Sequence, residues 1–317
     1  MIISKNADYK DYSDFFRLFE SQKITKHQYI NGMHGLHKSL FFYRSLIRKS
    51  EVASVEINDE MIIATMRGSN IKMLVDEFDS RFIPIEIINF GSFEAKEKLV
   101  IERIANCSQV ILDIGANVGW YTLNFSKMKK VKKIFSFEAI PRTFDYLLKH
   151  LEINRVKTKV VAENKALLES KKNVTFTWTK EETGSASLIN IQDRQSIEKI
   201  SVQATSIDEY FLSRNIEVDL IKCDVEGSEL LVMLGAKNYL TTFKPIIFCE
   251  LLRKWSKKFG YHPNEVISFL AEFGYRCYEI EGNKIYQVEL IDKNTVSTNF
   301  LFLNINRHEN YIRDLTG

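Results

Sequence analysis

Apolar residues recur at helical spacing between residues 8 and 50, and lysines and arginines occupy many positions between them. This pattern predicts an N-terminal helical segment over residues 1–50. Its basic residues Lys38, Arg44, Arg48 and Lys49 fit either a membrane-surface face or a solvated helix face, and the solvated face is the commoner structure.

Alternation of β-branched and polar residues replaces the helical spacing between residues 52 and 90. Residues 54–58, 61–65 and 83–88 are predicted strands separated by polar turns. We therefore expect a small β-rich extension over residues 51–93.

Short apolar runs alternate with amphipathic segments in the rest of the chain. The runs predict strands at residues 110–113, 133–138, 158–162, 219–224, 245–250, 275–280 and 298–304. The segments between them predict helices at residues 94–104, 121–128, 143–153, 229–240 and 263–273. This alternation is typical of a parallel sheet that helices bury on both faces. The predicted fold class is therefore a doubly wound α/β domain over residues 94–317.

A long excursion separates the third of these strands from residue 219. It contains a predicted strand at residues 173–177, a turn at residues 184–188 and a capping-box signal at Ser206. Excursions of this length often carry binding functions.

The composition is ordinary for a soluble globular protein, with 27% charged and 45% hydrophobic residues among 317. The 44 Lys and Arg exceed the 41 Asp and Glu by only three, too few for the basic field of a nucleic-acid-binding protein. No apolar run approaches the roughly 20 residues that cross a bilayer, and the first residues lack a secretion-signal pattern. We expect a cytoplasmic protein with no transmembrane segment.

The four cysteines Cys107, Cys223, Cys249 and Cys277 are far apart and lack metal-binding spacing. Three of them lie in apolar strand-like runs. We expect all four to be reduced core residues.

The most informative segment is the strand at residues 110–113 and the turn after it. Gly115 and Gly119 allow the backbone to approach a bound group closely. Glu138 ends the next strand, where a carboxylate can accept hydrogen bonds from ribose hydroxyls. An ordinary tight turn is the alternative, but the ordered series of strand, turn, helix, strand and acid favours an adenosine-containing ligand at the carboxyl ends of the strands.

Two residues bear on which adenosine-containing ligand binds. Asn117 replaces the second glycine of the dinucleotide motif, and Asp113 is expected at the mouth of the turn, where it would repel a pyrophosphate. The same carboxylate would attract a cationic amino acid and a sulfonium. S-adenosylmethionine is therefore favoured over NAD.

Four segments together resemble the FkbM family of S-adenosylmethionine-dependent O-methyltransferases. They are residues 113–122 (DIGANVGWYT), 137–141 (FEAIP), 221–229 (IKCDVEGSE) and 244–250 (KPIIFCE). The resemblance extends over residues 90–278 and implies a Rossmann-like methyltransferase sheet. The family commonly has His where Ser228 stands, which leaves the role of that His open.

The resemblance also implies which residues bind the cofactor and which acceptor is methylated. In chain order the binding set is Asp113, Gly115, Ala116, Asn117, Gly119, Tyr121, Glu138, Asn164 and Asp224. Within this set Glu138 would hold the ribose, Asn164 would meet the adenine edge and Asp224 would face the methyl-bearing sulfur. The implied acceptor is a sugar hydroxyl, in a surface glycan or in a small glycosylated metabolite.

An acceptor hydroxyl must lose a proton, and Asp224, Glu226 and Glu250 are the candidate catalytic bases. If their two strands pair, Asp224 and Glu250 lie close together and one pKa rises. A cluster of this kind can also hold Mg²⁺, but no His completes it, so a divalent metal is not favoured.

Other polar and aromatic residues nearby have simpler interpretations. Lys222 shares a strand face with Asp224 and is expected to be a charge partner, not a base. His262 is expected to cap a helix that begins at Pro263, with a role as base as the alternative. Trp178 and Trp255 are expected in the core, with stacking on a sugar ring as the alternative.

Two further function classes stay open. One is an NAD-dependent oxidoreductase with a degenerate phosphate loop, and the other is a module that binds the nucleoside without turnover. The first 90 residues carry no recognised motif and are candidates for determining substrate choice. The helical segment within them could form a homodimer, cover the active site or bind a partner.

Overall fold

The computed structural model describes residues 12–179, 187–189 and 197–316, so the predicted turn at residues 184–188 lies mostly outside the described residues. The helices in the described part are α1 Tyr12–Glu20, α2 Lys26–Ile47, α3 Ile83–Phe90, α4 Lys98–Ala105, α5 Trp120–Ser126, α6 Pro141–Ile153, α7 Ile207–Tyr210, α8 Glu229–Leu234, α9 Lys237–Phe243, α10 Arg253–Lys258, α11 Pro263–Ala271 and α12 Glu309–Leu315. The strands are β1 Val52–Ile57, β2 Ile62–Met66, β3 Lys72–Leu74, β4 Val110–Ile114, β5 Lys133–Phe137, β6 Val160–Glu163, β7 Ala166–Leu167, β8 Lys172–Trp178, β9 Glu198–Thr205, β10 Leu220–Cys223, β11 Ile246–Glu250, β12 Tyr275–Glu281, β13 Lys284–Val288 and β14 Asn299–Asn304.

A central sheet contains strands in the spatial order β6, β5, β4, β10, β11, β14, β12 and β13. The five strands from β6 to β11 run parallel, whereas β14 is antiparallel to both of its neighbours. The inner parallel strands are short, apolar and almost entirely buried. This arrangement confirms the predicted doubly wound α/β fold class.

Helices cover both faces of this sheet, as strands without an alternating polar face require. α4, α5, α6 and α12 supply the core on one face, and α7, α8, α9 and α11 supply the core on the other. β1, β2 and β3 form a separate antiparallel sheet, and their Ala64, Met66 and Met73 pack into the first of these cores. The β-rich extension therefore shares a core with the α/β sheet, while the three-part domain division stays a prediction.

The order of the strands creates a crevice near the middle of the sheet. The chain runs outward from β4 through β5 to β6 and then returns to add β10 on the other side of β4. At such a reversal the connections after two neighbouring strands diverge at their carboxyl ends. The crevice therefore lies beside the turns that begin at Gly115 and Asp224.

Two predicted elements have a different structure. Residues 83–88 form a helix and not a strand, since Pro84 occupies the first turn and Ile83 and Ile87 are buried at helical spacing. The helix predicted over residues 229–240 is divided into α8 and α9. At the division, a Cβ on Gly235 would lie 2.1 Å from the carbonyl oxygen of Leu168, so the chain is packed too closely there for a larger residue.

Two further predictions are corrected. The helix predicted from residue 94 begins at Lys98, and Glu94 has a left-handed φ of 47°, which an α-helix does not contain. Cys107 is exposed and is not a core residue, because it follows α4 in a surface turn, whereas the other three cysteines are buried. All four are free thiols.

The N-terminal helices confirm the predicted helical segment. A capping box starts α2, in which the Thr25 side chain accepts from the Gln28 N–H and the Gln28 side chain accepts from the Thr25 N–H. Phe19 of α1 stacks on Tyr29 of α2 with ring centroids 4.9 Å apart. The two helices therefore form a hairpin.

A buried histidine joins the β-rich extension to the α/β sheet. Nε2 of His150 in α6 accepts a hydrogen bond of 2.9 Å from the Leu74 N–H of β3. Its Nδ1 donates over 2.6 Å to the carbonyl oxygen of Val118. Because one ring nitrogen accepts and the other donates, the imidazole is neutral. Burial lowers the pKa of His150 to about 4.

We expect the free energy of unfolding to fall as the pH is lowered from the ordinary histidine pKa of about 6.5 toward about 4. In that window the unfolded chain takes up a proton at His150 and the folded chain does not. At neutral pH, His150→Leu should cost about 2–4 kcal/mol, because two buried backbone groups lose their partner. Urea denaturation at several pH values measures both effects.

The exposed residue His37 provides the matched control, as His37→Leu. Loss of stability between these pH values should be smaller in the His150→Leu protein than in the wild type and the control. An identical dependence on pH in all three proteins would contradict the assignment of a neutral, buried His150.

Candidate active site

Two turns meet at the carboxyl ends of β4 and β10. Gly115 adopts a φ of +69°, and a Cβ built on it would lie 1.8 Å from the carbonyl oxygen of Asp224. Glycine alone satisfies both the left-handed conformation and the close approach. The turn after β4 therefore packs directly on the turn after β10.

Glu138 organises the neighbouring turn after β5. Its buried carboxylate accepts hydrogen bonds from the Asn117 N–H at 2.9 Å and the Ile140 N–H at 2.8 Å. Burial raises the pKa of Glu138 to about 7, although both of these hydrogen bonds act to lower it. Asn164 donates from Nδ2 to the carbonyl oxygens of Glu138 and Ala139 at 2.9 and 3.0 Å. Asn164 therefore positions this turn, and its contact with adenine stays a prediction.

A narrow cleft lies against these turns and against the small sheet of β7, β9 and β8. Ile140, Leu168 and Phe176 provide part of its apolar surface. Three carboxylates also line it, and they belong to Glu138, Asp224 and Glu226. The cleft thus combines apolar walls with three acidic groups and with Lys165.

The cleft brings together part of the predicted binding set. Its members Gly115, Asn117, Glu138 and Asp224 line the cleft, together with the candidate base Glu226. Ala116 is buried. Gly119 is the N-cap of α5 and has a φ of +94°, and a Cβ built on it would lie 2.6 Å from the Leu147 side chain. These two small residues therefore serve the packing of the turn.

Several residues of the cleft wall are not predicted by the sequence pattern. Ile140 and Lys165 lie in connections after β5 and β6, and Phe176 lies in β8. Only the length of the excursion after β6 pointed to this region. No local motif identifies Phe176, because its position depends on how the small sheet packs against the central one.

Asp113 does not form an acidic lip at the mouth of the turn, and that placement is wrong. Its side chain is fully buried inside the sheet, where Oδ2 accepts from the Thr122 hydroxyl at 2.6 Å. Oδ1 lies 3.7 Å from Nζ of Lys222, its register partner on β10. The acidic groups that line the cleft are therefore Glu138, Asp224 and Glu226 and not Asp113, while a role for Asp113 toward the cofactor stays a prediction.

Lys222 connects the two turns. Its Nζ donates to the carbonyl oxygen of Gly115 at 2.9 Å and lies 3.5 Å from Oδ2 of Asp224. Burial acts to lower the pKa of Lys222, but the charges of Asp224 and Asp113 outweigh it and raise the pKa above its ordinary value. The predicted role of Lys222 as a charge partner is confirmed.

Tyr121 connects Lys222 to Glu94, a residue that the sequence pattern does not identify. Nζ of Lys222 lies 5.3 Å from the centre of the Tyr121 ring, and the Tyr121 hydroxyl donates to Glu94. Burial, with a smaller contribution from the charge of Asp224, raises the pKa of Glu94 to about 7. The sequence does not mark Glu94 as a site residue, because the spacing around it predicts a helix.

Two further carboxylates lie near Asp224. β10 and β11 pair in parallel with Cys223 opposite Cys249, which confirms the expected neighbouring positions of Asp224 and Glu250. Burial and then the charge of Asp224 raise the pKa of both Glu226 and Glu250 well above the ordinary glutamate value. Within the described part of the chain, no three His, Cys, Asp or Glu side chains form a group suited to a metal ion.

The interpretations of His262 and Trp178 are confirmed. Nδ1 of His262 accepts from the Asn264 N–H at 3.2 Å and caps α11. Trp178 is buried in the core of the small sheet. Trp255 is half-buried, with Nζ of Lys254 4.6 Å from its ring centre, and its contact with a sugar stays a prediction.

The strand order, the glycine turn at the reversal point and the acid after β5 define a Rossmann-like α/β protein with a nucleotide-type cleft. The profile of the family described as Methyltransferase FkbM domain matches residues 113–277, slightly more than half of the chain. The chain therefore belongs to the FkbM methyltransferase domain family.

At Ser228, the hydroxyl donates to the carbonyl oxygen of Val225 at 3.0 Å and closes the turn after β10.

Comparisons with individual proteins show distant similarity. A tRNA(Phe) (4-demethylwyosine(37)-C(7)) aminocarboxypropyltransferase from Methanocaldococcus jannaschii is 20% identical over an alignment of 133 residues, and the match covers 38% of this chain and 53% of that protein. The chain therefore spans about half of the length of this curated relative.

Among solved structures, Methyltransferase FkbM from Methylobacillus flagellatus is 11% identical with a TM-score of 0.41, covering 84% of this chain and 58% of that one. TYW2 of P. horikoshii in complex with MeSAdo is 14% identical with a TM-score of 0.33, and the match covers 80% of this chain and 70% of that one.

We expect Gly115→Ala to disrupt the cleft, because the added Cβ would overlap the Asp224 carbonyl oxygen in addition to straining a left-handed residue. The loss of unfolding free energy should exceed the roughly 1–2 kcal/mol that the left-handed conformation alone costs. Gly282→Ala is the matched control, with a φ of +62° and no atom within 4 Å of the added Cβ. Equal losses in the two variants, measured by urea denaturation, would contradict the close approach of the turns.

We expect Lys222→Met to destabilise the fold by about 3–5 kcal/mol, because it leaves the buried Asp113 carboxylate without its positive partner. Combining it with Asp113→Asn should cost less than the sum of the two single substitutions. Thermal and urea unfolding of the four proteins in this cycle measure the coupling. Strict additivity would argue against an interaction between the two side chains.

Proposed function

We propose that the protein is an S-adenosylmethionine-dependent O-methyltransferase that acts on a hydroxyl of a sugar-containing acceptor. The observation that carries the proposal is the acidic cleft at the reversal point of the sheet, in a chain of the FkbM methyltransferase family. A sulfonium and an ammonium group favour the ionised form of these carboxyl groups, whereas a pyrophosphate opposes it. Both this and the family membership favour a methyltransferase over an NAD-dependent oxidoreductase.

The residues of the cleft fit S-adenosylmethionine in two respects. Gly115 provides a wall without a Cβ, and Glu138 places a carboxylate in the cleft after β5. Glu138 would bind the ribose, Gly115 and Asn117 would contact the methionine part, and Ile140 with Phe176 would enclose the adenine. When bound, the cofactor supplies a methyl group activated by its positive sulfur.

The carboxylates next to Asp224 supply the remaining chemistry. An acceptor hydroxyl would lose its proton to a carboxylate while the hydroxyl oxygen bonds to the methyl carbon, whose bond to the sulfonium would break and leave a neutral thioether. Glu226 and Glu250 suit this role, because their raised pKa favours proton uptake at the operating pH. Asp224, held beside Lys222, orients the acceptor. Carboxylates accept hydrogen bonds from hydroxyl groups, which supports a polyhydroxylated acceptor such as a glycan or a glycosylated metabolite.

The experiment is a transfer assay with cofactor labelled in the methyl group, with a panel of free sugars, glycans and glycosylated metabolites and with or without a chelator. Product masses identify the group transferred, since the curated relative is named for a different transferred group. Binding of S-adenosylmethionine without transfer to any acceptor would favour the alternative function, a module that binds the nucleoside without turnover. Tight binding of NAD with no binding of S-adenosylmethionine would overturn the proposal.

We expect the base to be identified by amide substitution. Glu226→Gln or Glu250→Gln should lower the transfer rate about 10²–10⁴-fold. Because the pKa of both groups is raised, the wild-type rate should increase with pH as the base loses its proton, and the variant lacking the base should lose this dependence. Glu281→Gln, an exposed residue at the end of β12, is the control. Unchanged turnover and an unchanged pH profile in both variants would exclude these residues as the base.

A further inference from the structure

The long helix α2 leaves most of its apolar residues in contact with solvent. None of its 22 residues is buried. Phe41 and Phe42 are 67% and 70% exposed, and Ile30 is 52% exposed. Exposed apolar side chains gathered on one element mark a surface that binds a partner.

The apolar residues of α2 occupy two faces. Tyr29, Met33 and Ile47 are half-buried and recur at helical spacing on the face toward the rest of the protein, where α2 contacts β1 and α3. Lys38, Phe41, Phe42 and Ser45 recur at helical spacing on the opposite face, and Arg48 and Lys49 follow the end of α2 as exposed basic residues. This outer face therefore interleaves aromatic and basic side chains.

The charge around α2 has one sign. Residues 21–50 contain six lysines and arginines and neither Asp nor Glu. Without those six, the 44 Lys and Arg of the chain become 38, against 41 Asp and Glu. The positive charge of the protein is thus concentrated on the segment that also exposes the phenylalanines, while the remainder is slightly negative.

We propose that the outer face of α2 docks on the surface of an anionic phospholipid bilayer. Phe41 and Phe42 enter the boundary between headgroups and acyl chains, and Lys38, Arg48 and Lys49 contact lipid phosphates. No helix in the described residues has the length and apolarity needed to cross a membrane, which is consistent with attachment at the surface.

A second copy of the chain or a nucleic acid fits the outer face of α2 less well than a bilayer does. A second copy docked through the same face would bring two positive segments together without an intervening acid. A nucleic acid would match the charge and could stack on the phenylalanines, but it offers no apolar medium for exposed aliphatic residues such as Ile30 and Leu46. A bilayer surface provides both the negative charge and the apolar boundary.

The test is co-sedimentation of the full chain with vesicles of phosphatidylcholine alone and of equal parts phosphatidylcholine and phosphatidylglycerol. We expect binding to the anionic vesicles at low salt and a strong reduction at about 0.5 M salt. Phe41→Ser with Phe42→Ser, and separately the triple change Lys38→Gln, Arg48→Gln and Lys49→Gln, should each weaken binding roughly tenfold or more.

Each set of substitutions has a control elsewhere on the surface. Leu290→Ser with Val296→Ser removes two exposed apolar side chains, and Lys129→Gln with Lys130→Gln and Lys132→Gln removes three exposed charges. Both controls should bind the anionic vesicles like the wild type.

Three results would overturn the proposal. One is equal binding of the phenylalanine variant and the wild type. A second is an oligomer that this variant disrupts in the absence of vesicle binding, and a third is retention of an RNA oligomer without retention of vesicles. Because none of these substitutions touches the cleft, transfer activity measured on the same proteins tests the proposed function independently.

Discussion

One buried ammonium group holds the site together. Nζ of Lys222 donates to the Gly115 carbonyl and lies within ion-pair distance of Asp113 and Asp224. A lysine inside a sheet is costly unless acids and carbonyls surround it. Here those partners come from two neighbouring strands and from the turns that follow them. The requirement to solvate this charge therefore fixes how the β4 and β10 turns meet, and with them the position of Asp224 in the cleft.

The electrostatics of the cleft follow from the same arrangement. Lys222 is engaged with Asp113 and Asp224, whereas Glu226 and Glu250 gain protons more readily because of burial and the charge of Asp224. The result is that Glu226 and Glu250 take up protons more readily than ordinary glutamates near a buried ammonium group whose own pKa is raised. A carboxylate can then exchange a proton close to a group that keeps its charge.

The sequence predicts the parts of this protein that depend on local pattern. Continuous apolar runs locate the central strands, and the glycines after β4 with the acid after β5 locate the cleft. Lys222 could be paired with Asp224 in advance because residues two apart on a strand share a face. His262 stands directly before Pro263, a residue that favours the first position of a helix, so the cap of α11 is also predictable from the local sequence.

The remaining features depend on contacts between distant parts of the chain. The burial of Asp113 depends on Lys222, which belongs to a strand that the sequence cannot place beside β4. Phe176 reaches the cleft through the packing of a small sheet, and the Ile-rich α3 has a composition that fits a strand equally well. β3 and β13 are short, partly polar strands that pairing with neighbours stabilises, so periodicity alone does not reveal them.

The imidazole of His150 has a thermodynamic consequence for communication across the molecule. It bonds at once to Val118, within the glycine turn, and to Leu74, in the β-rich extension. A change that displaces the imidazole would loosen both contacts together, so one side chain stabilises the turn and the extension. Residues far from the cleft in sequence thereby help to hold the turn beside it, without contributing any atom to its wall.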